Sequence, residues 1–365
     1  LTNIFISRKH RNQKKTGRPY KCKKLPTVKN MKTSLLYDFD FPEFAARVKS
    51  WGEPKYRGKQ IWEGIYKNLW LTPDEFTNLP KSLREKMGEL LTFDVLKPTL
   101  IQESKDRETI KTLFELHDGQ RIETVIMKYD TEGRQPRRTV CISTQVGCGM
   151  GCTFCATGQM GFKRQLSSGE IVAQVIYAAR QLQDDGEKLT NVVVMGMGEP
   201  FHNYETTMEA IDRLNNTDGF AFGARRFTIS TVGLVPLIKR FADEKRQVNL
   251  AISLHAAEDE LRSSMLPINE KYPIANLLEV CRYYVDQTHR RITFEWALIE
   301  GVNDTPEQAH ILARKIKGLL CHVNAIPLNP TKGFHGQSSK SERAKIFKET
   351  LEGNGISCTI RAHRG

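Results

Sequence analysis

Residues 139–155 read Thr139-Val-Cys141-Ile-Ser-Thr-Gln-Val-Gly147-Cys148-Gly-Met-Gly-Cys152-Thr-Phe-Cys155, a β-branched run that breaks into a glycine-rich loop carrying three cysteines. The C-x3-C-x2-C spacing offers thiolates, the soft ligands an iron–sulfur cluster requires, and the glycines let the backbone wrap a group of that size. Three ligands for a [4Fe-4S] cluster leave one iron open, a vacancy that the amino and carboxylate groups of S-adenosylmethionine fit. Zinc is the competing reading, but structural zinc sites close with four ligands, usually as C-x2-C pairs. No second pair is present, and the nearest histidine, His117, falls in a predicted hairpin.

Working outward, the strand before the loop is the first of six. TVCIS (139–143), NVVVMG (191–196), RFTIS (226–230), VNLAISLH (248–255), RITFEWALI (291–299) and CHVNAIPLN (321–329) have strand character. Helical patterns fall near 168–184, 204–216, 235–245, 273–288, 304–318 and 339–353. Strands alternating with helices imply crossovers and a parallel sheet. The expectation is an α/β fold built as a partial (βα)6 barrel, with its chemistry at the C-terminal ends of the strands. Along VNLAISLH, Leu250, Ile252 and Leu254 point one way and Ala251, Ser253 and His255 the other, so one face suits helices and the other a polar lumen.

Upstream, TIKTLFEL and QRIETVIMKY flank His117-Asp118-Gly119, an Asp-Gly turn that predicts a hairpin. From Phe41 to about Phe93 the pattern is helical, broken at Gly52-Glu53-Pro54, Thr72-Pro73 and Leu79-Pro80. Tyr56, Ile61, Trp62, Ile65 and Tyr66 recur at helical spacing and suit a core; Lys55, Arg57, Lys59 and Lys67 fit either a solvated face or a nucleic-acid surface.

The net charge of +13 invites a nucleic-acid partner, yet residues 1–33 hold eleven Lys or Arg and no acid, so most of it belongs to a tail. That tail reads as disordered and need not be native, Met31 being a natural start; an RNA-contacting arm or a transit sequence are the alternatives. No run approaches the roughly 18 apolar residues of a membrane span, and no export signal is evident, so a soluble cytoplasmic protein is expected. Eight cysteines without an export signal do not suggest a disulfide scaffold. Cys281, Cys321 and Cys358, in apolar runs, are expected to be buried and inert.

The cysteine loop, with an aromatic before its last cysteine, resembles the radical S-adenosylmethionine superfamily signature. The words around it, Cys141-Ile-Ser-Thr-Gln-Val-Gly-Cys148, CATGQMGF, Gly196-Met-Gly-Glu-Pro200, Ser230-Thr-Val-Gly, Ser253-Leu-His255 and Ile326-Pro-Leu-Asn329-Pro330, resemble the RlmN/Cfr family of RNA adenine methyltransferases. The resemblance runs from about Phe41 to Gly365 and includes EPKYRGKQIW. It implies a [4Fe-4S] cluster on Cys148, Cys152 and Cys155 and S-adenosylmethionine held by Gly198, Glu199, Ser230, Ser253, Leu254, His255 and Asn329. Cys141 would be a catalytic cysteine and Glu123 the catalytic proton acceptor. Pattern and resemblance together give the expected division: the basic tail (1–33), a helical RNA-binding accessory domain (34–95), a β-hairpin linker (96–137) and the radical SAM core (138–365), expected to be truncated at its C-terminus.

The carbon between two ring nitrogens of adenine is electron-poor, so polar methyl transfer to it is unfavourable and a radical route is needed. In the family one S-adenosylmethionine methylates a C-terminal cysteine and a second is cleaved to a 5′-deoxyadenosyl radical. That radical takes hydrogen from the methylated cysteine, and the resulting carbon radical adds to adenine. Cys141 would then resolve the methylene-bridged adduct by forming a disulfide. The resemblance thus implies methylation of C2 in 23S rRNA, with tRNA as a further substrate, by a monomer fed by a flavodoxin or ferredoxin. Whether Glu123 or Cys141 takes the proton stays open. The methyl-carrying cysteine lies in an Ala-Ala-Cys-Gly segment that the sequence to Gly365 does not contain, and a longer natural chain is expected. Alternatives are a Cfr-type C8 methyltransferase conferring antibiotic resistance, a non-methylating RNA-binding relative, or a small-molecule radical enzyme such as a glycyl-radical activase.

Overall fold

The computed structural model describes residues 34–361, apart from 131 and 134; the basic tail and Cys22 lie outside the described residues. Three helices, Phe41–Ser50, Lys55–Tyr66 and Lys81–Leu90, form the N-terminal layer; Gly52 and Pro54 separate the first two, and Pro73 and Pro80 fall between the second and the third. Asp40 and Glu43 close a capping box at the first, each side chain accepting the other's backbone N–H, at 2.8 and 3.2 Å. Ile61, Trp62, Ile65 and Tyr66 are buried as their spacing suggests, but Tyr56 is 56% exposed with the Arg57 guanidinium over its ring, so it packs in no core.

The layer is fastened to the next domain at a helix start. Asp38 accepts the Gly169 N–H at 2.7 Å and the Ser167 hydroxyl at 2.8 Å, at the N-terminus of helix Ser168–Asp184, where a negative charge is favoured. Arg180 reaches back to Glu75 at 2.8 Å, and one continuous apolar core runs through both layers.

Among the described residues the main sheet has ten strands. Six parallel ones follow the expected order: Arg137–Cys141, Asn191–Val194, Phe227–Thr231, Asn249–Ser253, Ile292–Leu298 and Cys321–Pro327, with Cys358–Ile360 adding a seventh. Helices Ser168–Asp184, Tyr204–Asn215, Val235–Asp243, Ile274–Thr288, Pro306–Ile316 and Ser341–Gly353 lie between them or before the last, and a short helix, Asp259–Met265, is additional. The hairpin about Asp118-Gly119 forms as Thr109–Glu115 and Arg121–Tyr129. It pairs antiparallel onto Arg137–Cys141, so the segment expected as a linker prolongs the barrel's own sheet. A further strand, Lys97–Glu103, forms its edge; all seven residues are exposed, so no alternation marks it in the sequence. No helix among the described residues is long and apolar enough to cross a membrane.

Candidate active site

A small hairpin, Gln145–Gly147 with Phe162–Gln165, presents the cysteine loop at the C-terminal end of the first parallel strand. Gly147 has φ +72°, and a Cβ there would stand 1.8 Å from the Gly161 carbonyl oxygen, so only glycine closes this hairpin. The Cys148 N–H donates to Gly161 O at 3.2 Å and the Cys155 N–H to Cys152 O at 3.2 Å. Gln159 ties the loop to the far side of the barrel, its amide donating to Thr153 O at 2.7 Å and to the Thr331 hydroxyl at 2.9 Å. Phe154 meets His255 edge-on at 4.9 Å.

The three thiols are partly buried and unbonded to one another. Burial pushes Cys148 up to about 11 and Cys152 higher still, so their thiolates need positive charge beside them. Bound metal supplies it, deprotonating its ligands. Among the described residues no three His, Cys, Asp or Glu side chains converge on a single ion. Three soft thiolate donors on one glycine-rich loop suit an iron–sulfur group.

Around the loop stand the residues expected to hold S-adenosylmethionine. Ser230 and Ser253, on adjacent strands, bring their hydroxyls to 3.3 Å. Leu250, Ile252 and Leu254 enter the main core, so the opposite face of that strand is the lumen, and Leu254 has only backbone to offer a ligand. His255 is buried with φ +59°, its Nδ1 accepting the Ala297 N–H at 2.9 Å. The ring is therefore neutral with its proton on Nε2, and burial holds its pKa down to about 3. Asn329 follows the Cys321–Pro327 strand, partly buried, at the same end.

Glu199 is buried beneath the loop. Its Oε1 accepts the Phe201 N–H at 2.9 Å, its Oε2 the Val232 N–H at 2.8 Å, and burial raises its carboxyl to about 7. Gly196 and Gly198 meet the chain itself: a Cβ on Gly198 would lie 2.6 Å from the Gln145 side chain, and one on Gly196 2.7 Å from Ile142 O.

Cys141 pairs with Val125 across the antiparallel junction and with Val193 on the parallel side. Glu123, two residues from Val125, shares its face, so Glu123 and Cys141 are diagonal neighbours. The Ser143 hydroxyl donates to Glu123 O at 2.7 Å, and Lys111 Nζ lies 3.9 Å from the Glu123 carboxylate. Burial pushes Cys141 up to about 11, opposed first by a backbone hydrogen bond at Met195 and then by the charge of Arg361. A thiol so held is largely protonated near neutral pH, and Glu123 is a carboxylate on the same sheet face, one pair diagonal from it.

The remaining described cysteines stand apart. Cys281 and Cys358 are sealed in the core; Cys321 is partly exposed, unlike the expectation, because it begins its strand at the end away from the loop. Three polar supports were not foreseen. Gln145, buried, accepts the Glu199 N–H at 2.8 Å. Arg262, fully buried, donates to Val232 O at 2.7 Å and Leu254 O at 3.1 Å, gathering two strand ends. Glu295 stands in register with Ser253. Gln145 and Arg262 meet partners 54 and 30 residues away, which no local pattern reveals; Glu295, a lone acid in an apolar strand, was a readable signal.

Comparison with known proteins accords with this arrangement. Residues 142–312 match the radical SAM superfamily model and 35–92 the ribosomal RNA large subunit methyltransferase N-terminal domain. A probable dual-specificity RNA methyltransferase RlmN of Chloroflexus aurantiacus is 46% identical over 92% of this chain and 90% of its own length. The dual-specificity RNA methyltransferase RlmN 1 of Myxococcus xanthus is 46% identical over 90% of each. A radical SAM methyltransferase structure from Sphaerobacter thermophilus superposes with a TM-score of 0.87 at 50% identity, covering 91% of this chain and 96% of that one. The chain belongs to the RlmN family of radical SAM RNA methyltransferases.

Proposed function

We propose that this enzyme methylates C2 of an adenine in 23S rRNA and in tRNA through a methyl-cysteine carrier, drawing single electrons from a flavodoxin or ferredoxin. The observation that carries the reading is the continuity of one sheet face, on which the Ser230–Ser253 pair and the Cys141–Glu123 pair stand below the cysteine loop. The relatives' dual-specificity name supports two kinds of RNA substrate.

When bound on Cys148, Cys152 and Cys155, a [4Fe-4S] cluster supplies the electron that cleaves S-adenosylmethionine to a carbon radical. Gly198, Glu199, Ser230, Ser253, His255, Asn329 and the Leu254 backbone orient that ligand. Glu123 takes the proton from the substituted base. Cys141, as its thiolate, then attacks the carrier sulfur: the S–S bond forms, the S–CH2 bond breaks with its electron pair left on carbon, and that carbon takes up a proton, matching the one the thiol gave up, to become the methyl group.

The natural full-length protein, iron-loaded, is incubated without oxygen with S-adenosylmethionine, reductant and 23S rRNA or tRNA, and the RNA is digested for nucleoside mass spectrometry. 2-Methyladenosine is expected from both. 8-Methyladenosine would replace the C2 assignment by the Cfr-type reaction, and 5′-deoxyadenosine without any methyladenosine would remove RNA methylation.

A further inference from the structure

Beyond the last cysteine of the loop, the chain turns back through a short exposed segment. The helix Ala156–Gln159 is capped by Cys155, whose carbonyl accepts the Gln159 N–H at 3.0 Å, and Met160 and Gly161 follow. The Gly161 carbonyl accepts the Cys148 N–H at 3.2 Å. Gln159–Gly161 is thus joined to two of the three cysteine residues, each through one backbone hydrogen bond. Met160 is 58% exposed and Phe162 41%. A Cβ on Gly149, between the first two cysteines, would stand 3.6 Å from Phe162 Cβ, so the apolar patch continues onto the loop itself.

The rim of this patch is basic. Residues 145–167 hold Lys163 and Arg164 and no acid, and residues 326–340 hold Lys332 and Lys340 and no acid. Arg164 is committed to Asp118 and Glu170, and Lys340 lies 3.2 Å from Glu300. Lys163 is exposed next to Phe162. Lys332 falls between Thr331 and Gly333, the two residues that Gln159 binds, so both lysines border the turn.

A base that is to react must reach the sheet face of Cys141 and Glu123. An electron need only reach the loop, and its transfer quickens as the path shortens. A small apolar centre within a basic rim suits brief encounters with an acidic protein, the low-area class to which electron-transfer complexes belong. An exposed methionine, unbranched and polarizable, adapts to such a partner. We infer that Met160, Phe162 and Lys163 form the docking surface of an acidic one-electron carrier protein, whose electron enters through the Gly161–Cys148 contact. In that step the carrier is oxidised by one electron and the cluster reduced by one; no bond breaks and no proton moves. The inference rests on the reading of the loop as a cluster site served by a flavodoxin or ferredoxin.

The natural full-length protein, iron-loaded, is mixed without oxygen with reduced flavodoxin, reduced ferredoxin or dithionite. Cluster reduction is followed by electron paramagnetic resonance after rapid freezing, and affinity for the oxidised carriers by calorimetry. Charge reversal by Met160→Glu with Lys163→Glu should slow reduction by the carrier about tenfold or more and weaken its binding in parallel. Reduction by dithionite and iron content should stay at wild-type values. Lys163→Gln alone should slow the carrier several-fold at low salt and hardly at all at about 0.5 M, where exposed charges are screened. Lys317→Glu, an exposed change at the opposite end of the barrel, should leave every rate unaltered. An unchanged carrier rate in the double variant would overturn the proposal. So would equal slowing by dithionite, which would make these residues supports of the loop, or weakened RNA binding at an unchanged carrier rate, which would give the surface to RNA. Wild type reduced by dithionite but by neither carrier protein would remove the electron-donor reading itself and the proposal with it.

Discussion

The imidazole Nδ1 of His255 accepts the backbone N–H of Ala297 at 2.9 Å, and this bond fixes the protonation state of a buried ring at the mouth of the barrel. In the unfolded chain His255 titrates near 6.5, in the folded chain at about 3. The folded state thus binds fewer protons between these values. Its stability is fully present above pH 6.5 and is lost as pH falls toward 3, by up to about 1.4 kcal/mol per pH unit. His255→Asn keeps an acceptor for Ala297 and tolerates the left-handed backbone. Urea unfolding should show wild type losing roughly 1–2 kcal/mol more than this variant between pH 6.5 and 5.

Each of Cys148→Ala, Cys152→Ala and Cys155→Ala should reduce bound iron from about four per chain to near zero after anaerobic reconstitution, with loss of visible absorbance. Cys281→Ala and Cys321→Ala should retain it. Iron analysis decides, and full loading of any variant from the first group would dislodge that cysteine from the ligand set.

Gly147→Ala forces a methyl group against the Gly161 carbonyl at a positive φ. A cost of about 3 kcal/mol in unfolding free energy is expected, with reduced iron retention because both strands of the loop hairpin must shift. A variant with wild-type stability and iron content would show that the hairpin accommodates side chains elsewhere.

Gln145→Leu removes the acceptor of the Glu199 N–H and the donor to Gln165, which lies 2.8 Å away. A buried group left unpaired costs about 1–3 kcal/mol, to be read from chemical denaturation. S-adenosylhomocysteine affinity should fall about tenfold at normal iron content, because the carboxylate beneath the loop loses its support. Unaltered affinity would separate Glu199 from ligand binding.

Cys141→Ala should leave iron loading and S-adenosylhomocysteine binding intact yet lower repeated turnover by about a hundredfold or more, as loss of a nucleophile does. Protein covalently joined to RNA should accumulate, seen as a mass shift that ribonuclease trims to a nucleotide. Free methylated RNA at wild-type yield would assign the resolving step to another group.

How far the sequence reveals this molecule depends on which interactions are local. The six barrel strands and their helices were readable because apolar faces recur at periods of two or 3.6 within each segment. Helix Ser168–Asp184 fell on its expected boundaries, where Ser167 and Glu170 form a capping box. The strand Lys97–Glu103 was not readable, because an edge exposed along its whole length need not alternate. Tyr56 shares its helix with Trp62 but, six residues away and so about 120° around it, lies off the packed face. The cluster cysteines announce themselves by spacing. Their neighbours do not: Gln159 and Thr331, 172 residues apart, meet only once the sheet has curled.

Among the described residues the sheet's two outermost strands, Lys97–Glu103 and Cys358–Ile360, are not bonded to one another, so the described strands form an arc with a gap and not a ring. A closed ring admits only what can drop in from an end. An arc can be approached broadside by one unit of a long polymer, with the chain on either side of that unit trailing outside. No free terminus is then needed to begin a reaction, nor any unthreading to finish it.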